Sequence, residues 1–223
     1  MTIAWPEPLR RQVQGLVDQF LGQDTGAWIG IGGIEALTRA ALTLPRGMSG
    51  RVETLGGRPL TQALVWMHGT EPQLWVDPAY GGYREAYADF AVERLGLAGR
   101  PDGGSFNIDH VFPKAAAALD GLSHVRMLAI EAPGNQSAGR TLEKAMKQRA
   151  DAAPNARGMR KATWMSIGKA TNFTGWEALP EVQAAGNQAL VARLFAHLAA
   201  RGIVPPAGAV EQRMTAHTLG RIR

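Results

Sequence analysis

The sequence predicts an α+β fold, a predominantly helical chain with a strand–strand–helix module embedded in its second half. Three observations predict it. Apolar residues recur at helical spacing in several separate stretches. Two short β-favouring runs, Phe106 to Phe112 and His124 to Ile130, are followed by a segment of helical character. A glycine-rich break over residues 95–105 then marks a shift towards basic composition, dividing a mainly helical region 1–100 from a module over 101–223.

The elements follow in order. Leu9, Val13, Leu16, Val17 and Phe20 predict an amphipathic helix ending near Gly22, with Pro6 and Pro8 fixing its entry. Ile34 to Leu44 reads as an Ala-rich helix closed by Pro45 and Gly47. Short strands fit Arg51 to Thr54, Ala63 to His68 and Gln73 to Val76, and a helix fits Tyr83 to Leu95. Phe106 to Phe112 is stopped by Pro113, and a loop leads to the run from His124 to Ile130. Pro133-Gly134-Asn135 then turns the chain into a helix over Gln136 to Arg149. Glu181 to Arg201 makes a last long helix with Leu190, Leu194 and Leu198 along one side.

Composition narrows the chemistry. The chain has 223 residues, 45% of them hydrophobic, enough to bury a core in one large domain or in a module with a companion. Cysteine is absent, which removes disulfides and cysteine zinc knuckles, so any metal must be held by His, Asp, Glu or Asn. No apolar run approaches the roughly 20 residues that cross a bilayer. The start MTIAWPEPLRRQ lacks the basic-then-apolar order of a secretory signal, so a cytoplasmic protein without a membrane partner is expected, with non-classical export left open.

The net charge is +5 and the pI about 10.0. From Asp109 to Lys169 there are ten Lys or Arg against five Asp or Glu, so this segment carries the whole excess. A localised basic surface suits a polyanion such as nucleic acid, because neutralising phosphates releases counterions. A solubilising surface charge is the competing reading.

The polar residues of the second half fall at element junctions. Asp109-His110 lies within the first run, His124 opens the second, and Asn135 stands at the turn into the helix. DHVFP, then His124, then Asn135 followed by Gly139-Arg140 resembles the HNH, or His-Me finger (ββα-metal), nuclease pattern over about 40 residues. The resemblance implies that Asp109 and Asn135 ligate a metal, that His110 is the general base, and that His124 holds the middle position that orients the catalytic elements. That position more commonly holds Asn.

The chemistry agrees with those roles. Phosphodiester hydrolysis needs a deprotonated water and a cation to neutralise developing charge, and an imidazole titrates near neutrality. Asp and Asn supply hard oxygen ligands, which favour Mg²⁺ or Mn²⁺, whereas a ligating His124 would favour Mn²⁺, Ni²⁺ or Zn²⁺. Neighbours on an extended strand point to opposite sides, so a twist or bulge is required to bring both Asp109 and His110 to one site. On the predicted helix Arg140, Lys144 and Lys147 share one face suited to a phosphate backbone, and the helix amino end offers unpaired N–H groups to a phosphate.

Three functions are therefore open. The first is an HNH-type endonuclease acting on DNA in preference to RNA, in defence or as an antibacterial effector. The second is a catalytically silent nucleic-acid-binding module on a degenerate ββα-metal fold. In the third, an effector toxin, the N-terminal region docks to a delivery or neutralising protein partner. Other polar features carry less. Gly30-Ile31-Gly32-Gly33 reads as a turn and close packing rather than a phosphate loop. His68, Asp77, His197 and His217 lack ligand spacing, and Phe173 and Trp176 read as core residues rather than base-stacking ones.

Overall fold

A computed structural model describes residues 6–21, 30–33, 50–101, 106–141, 143–144, 147, 160–178 and 187–203. In chain order the elements are α1 (Glu7–Leu21), β1 (Gly30–Gly32), β2 (Arg51–Glu53), β3 (Ala63–His68), β4 (Glu71–Val76), α2 (Tyr83–Glu93), β5 (Phe106–His110), α3 (Lys114–Leu119), β6 (Val125–Glu131), α4 (Ala132–Arg140), β7 (Arg160–Lys161), α5 (Trp164–Ala170), a 3₁₀ turn (Gly175–Ala178) and α6 (Asn187–Ala199). The α+β class stands. The predicted helix over Ile34 to Leu44 and the first residues of the one over Glu181 to Arg201 lie outside the described residues.

Strands β2, β3 and β4 form an antiparallel meander. The β3–β4 hairpin turns through Gly69-Thr70, and Gly69 takes a φ of 60° that a side chain would disfavour. Strand β6 connects this meander to the rest of the fold. Its first residues pair with β4 through Trp75↔Arg126 and Val76↔Val125. Its remainder pairs with β5, from His110↔Met127 to Phe106↔Glu131. On the way, Gly32 of β1 pairs with Val125, so the GIGG stretch is strand rather than turn.

The pleat of β6 feeds two cores, because successive side chains point to opposite faces. Met127 and Ala129 join Phe106, Tyr83, Tyr87, Phe90, Leu74 and Val76 on one side. Leu128 and Ile130 join Leu16, Phe20, Trp164, Ile167, Trp176 and Leu194 on the other. Helix α1 covers that second face with its stripe of Leu16, Val17 and Phe20. Sheet and cores thus draw on residues from both sides of 95–105. Beyond the pairing with β4, the buried Tyr87 hydroxyl accepts a hydrogen bond from the Ala129 N–H at 3.0 Å.

Two local expectations are corrected. Helix α3 occupies part of the connection read as a loop, and it follows Pro113 because proline disfavours strand continuation while tolerating a helix start. Pro133-Gly134-Asn135 lies within the first turn of α4 rather than before it, since a proline at the second helical position gives up only an N–H that has no intrahelical partner.

Helix α5 packs tightly on α6. A Cβ at Gly168 would meet Leu194 Cδ1 at 2.6 Å and Trp176 Cζ2 at 2.9 Å. Gly168→Ala is expected to destabilise by about 1–3 kcal/mol through overpacking. Gly15 in α1 has open space, so Gly15→Ala should stabilise by about 0.5–1 kcal/mol, and urea unfolding of both variants checks the opposite signs.

Candidate functional site

The end of β5 and the start of α4 meet at an open cleft of about 410 Å³, lined by Asp109, Asn135, Gln136, Gly139, Arg140 and Glu143. Asp109 arrives there because its pair partner Leu128 faces the α1–α5 core, and Asp109 turns to the same side. Asn135 arrives because α4 begins directly after β6. Its Oδ1 is buried and has no hydrogen-bond partner among the described residues.

Lys169 is the unexpected member. It is 2% exposed, near the end of α5. Its Nζ donates to Asp109 Oδ2 at 3.0 Å, to the His110 carbonyl at 2.9 Å, and to Glu143 Oε1. Burial alone would raise the Asp109 carboxyl, but the Lys169 ammonium and the His110 amide more than offset it and hold the group well below the usual carboxylate range. Burial would likewise lower Lys169, and Asp109 and Glu143 together raise it instead. Both groups are therefore charged at neutral pH.

His110 takes the other side. The β5–β6 register runs through Asp109↔Leu128 and His110↔Met127 without a bulge, so the neighbours keep their alternation. The imidazole is 1% exposed, tilted against the Tyr83 ring at 4.8 Å between centroids. Neither ring nitrogen has a hydrogen-bond partner among the described residues. Nδ1 lies 3.7 Å from Asp109 Oδ1, beside the cleft but not on its wall. The twist or bulge that would bring both residues to the cleft is absent from this strand.

His124 is placed elsewhere. Its Nε2 is 2.8 Å from the Leu60 carbonyl, bracing the connection between β2 and β3 against the start of β6, and it does not line the cleft. Of the four residues that the resemblance singles out, Asp109 and Asn135 come together, His110 lies next to them facing away, and His124 stands apart. Burial lowers the His124 pKa, with the Leu60 carbonyl and Asp77 opposing.

The basic helix is also altered. α4 ends at Arg140, and Thr141 departs from helical geometry with φ −125° and ψ −71°. Its hydroxyl donates back to the Ser137 carbonyl at 2.9 Å, an alternative to continuing the helix. Lys144 and Lys147 are exposed beyond that break, so they do not share one helix face with Arg140. Arg126 and Lys169 are buried, which removes two of the ten cations of this segment from the surface.

The amino end of α4 is not the open phosphate seat expected. Asn172 Oδ1 accepts from the Gly134 N–H at 2.7 Å, and Asn172 Nδ2 donates to Glu131 Oε2 at 2.6 Å. A carboxylate and a carboxamide thus stand where a phosphate would bind. The close approach needs Gly134, whose Cβ would meet the Asn172 backbone at 2.6 Å.

Comparison with protein-family models, with curated proteins and with solved structures finds no match to this chain. Among the described residues no three His, Asp or Glu side chains gather into a ready metal cage. Two carboxylates and an unpartnered amide oxygen do share the cleft, a hard-oxygen set that fits Mg²⁺ or Mn²⁺ better than Ni²⁺ or Zn²⁺. No helix among the described residues is long and apolar enough to cross a membrane.

His124 gives a pH test. Its folded pKa lies below the unfolded value near 6.5, so the unfolded chain takes up the proton first as pH falls. Stability should be unaffected by this group above about pH 6.5 and decline below it. In His124→Gln the loss of stability between about pH 7 and about pH 5 is expected to be shallower, with His197, also lowered by burial, carrying part of the remainder. Urea midpoints at several pH values measure the slopes.

Proposed function

We propose that this chain is a divalent-metal-dependent endonuclease of the HNH type that hydrolyses nucleic-acid phosphodiester bonds, with DNA as the expected substrate. One observation carries the reading. Strand β5, strand β6 and helix α4 follow in that order and bring Asp109 and the buried, unpartnered Oδ1 of Asn135 to one open cleft.

In this reading Asp109 and Asn135 hold the cation, which when bound supplies positive charge at the phosphoryl and leaving oxygens. Arg140 on the cleft wall, with Lys144 and Lys147 beyond it, contacts the phosphate backbone. His110 takes the proton from the attacking water. That step requires the imidazole to leave Tyr83 and turn past the Asp109 carboxylate, a side-chain rotation at the last residue of β5.

The burial of His110 favours a second reading, a nucleic-acid-binding module on the same strand–strand–helix framework without catalysis. The two are separated by incubating the protein with supercoiled plasmid, linear DNA and RNA across Mg²⁺, Mn²⁺, Ni²⁺ and Zn²⁺. A nuclease gives products that EDTA suppresses, whereas a silent module gives none and still binds in EDTA. His110→Ala should lower cleavage by about 10²–10⁴-fold while sparing binding, and wild-type rates would sink its role as base. Asp109→Ala and Asn135→Ala should weaken Mn²⁺ binding in calorimetry.

A further inference from the structure

We propose that Lys169 and the divalent cation compete for one pair of carboxylates, Asp109 and Glu143, so that Lys169 is a positioning residue that sets how tightly the cleft holds its metal. The inference rests on the metal-dependent reading above and extends it to two residues outside the Asp-His, His and Asn pattern.

The geometry is specific. Lys169 is buried near the end of α5, with its ammonium between two carboxylates. Asp109 and Glu143 both line the cleft, yet they come from different elements, the end of β5 and the residues after α4. Among the described residues Lys169 is their one common partner, and the third Lys169 bond, to the His110 carbonyl, fixes the ammonium at the strand end. A cation entering beside Asn135 Oδ1 meets Asp109 with one oxygen already engaged by an ammonium and meets Glu143 engaged by the same group.

Two consequences follow from Coulomb's law. A dication bound by Asp109 is repelled by a fixed positive charge that contacts the same carboxylate, and this repulsion is strong in a part-buried site. Removing the ammonium without changing the stem leaves two carboxylates facing one cleft with their mutual repulsion unrelieved. Such a pair gains more from a divalent cation than the wild-type pair does. A purely structural lysine predicts the reverse, since its loss would scatter the ligands and weaken binding.

The test measures Mn²⁺ affinity by calorimetry, and the Mn²⁺-dependent rise in melting temperature, for the full-length wild type, Lys169→Met, Glu143→Gln and Asp109→Asn. Lys169→Met is expected to bind Mn²⁺ about tenfold or more tightly than wild type and to gain more thermal stability from it. Glu143→Gln and Asp109→Asn are expected to bind more weakly. Equal or weaker binding by a folded Lys169→Met overturns the competition. If Lys169→Met does not fold even with Mn²⁺ present, Glu143→Gln decides: weaker binding supports the shared clamp, and wild-type affinity overturns it. Wild-type affinity in Asp109→Asn, or no binding by any variant, removes the metal reading itself and this inference with it.

Discussion

The pleat of β6 is the constraint on which the arrangement depends. One strand of seven residues pairs with β4 at its start and β5 along its length, and its alternate side chains enter two separate cores. Slipping its register by one residue would exchange Met127 and Ala129 with Leu128 and Ile130 and misfit both cores at once, because the swapped side chains differ in size and shape. That rigidity passes to β5. With the register fixed, Asp109 must face the α1–α5 side and His110 the Tyr83 side, so the adjacent pair cannot stand together at the cleft without local movement. The division between a carboxylate at the cleft and a buried imidazole is therefore a result of sheet packing rather than of the cleft itself.

Electrostatics complete what the sheet begins. A lysine as buried as Lys169 is tolerable only because its three donors have two carboxylates and a carbonyl to meet. Deleting one member of such a buried set typically costs about 3–5 kcal/mol, since the remaining charges lose their compensation. The cluster also ties the end of β5, the end of α5 and the chain beyond α4 at a single point. Cleft shape and charge are in this way coupled to the packing of α5 on α6.

Much of the framework was legible in the sequence. The stripe from Leu9 to Phe20 gave α1, alternating and β-branched residues marked β3, β4, β5 and β6, and the aromatics of KATNFTGW were core residues, Phe173 and Trp176 both being buried. What could be read was local periodicity. The site was less legible because its decisive contacts are long-range: Lys169 meets Asp109 from 60 residues away and Asn172 meets Gly134 from 38. Lys169 does leave a trace, as the lone charge in the helix WMSIGKA, but composition alone places it among the other basic residues. The break at Thr141 was hidden because a back-bonding hydroxyl leaves helical spacing unchanged. His124 holds the middle position of the resemblance, yet spacing could not reveal that its ring would meet the Leu60 carbonyl.

The phenol of Tyr87 has a broader consequence. Where β4 stops pairing, the flank of β6 would present a bare amide at Ala129, and the tyrosine oxygen takes that amide in place of another strand. Burial raises the hydroxyl's pKa, so it stays protonated and neutral while accepting this bond. A side chain from α2 thus satisfies a buried strand amide that no neighbouring strand takes. The hydrogen-bond balance of this buried strand segment therefore hangs on a phenol from a helix rather than on a neighbouring strand.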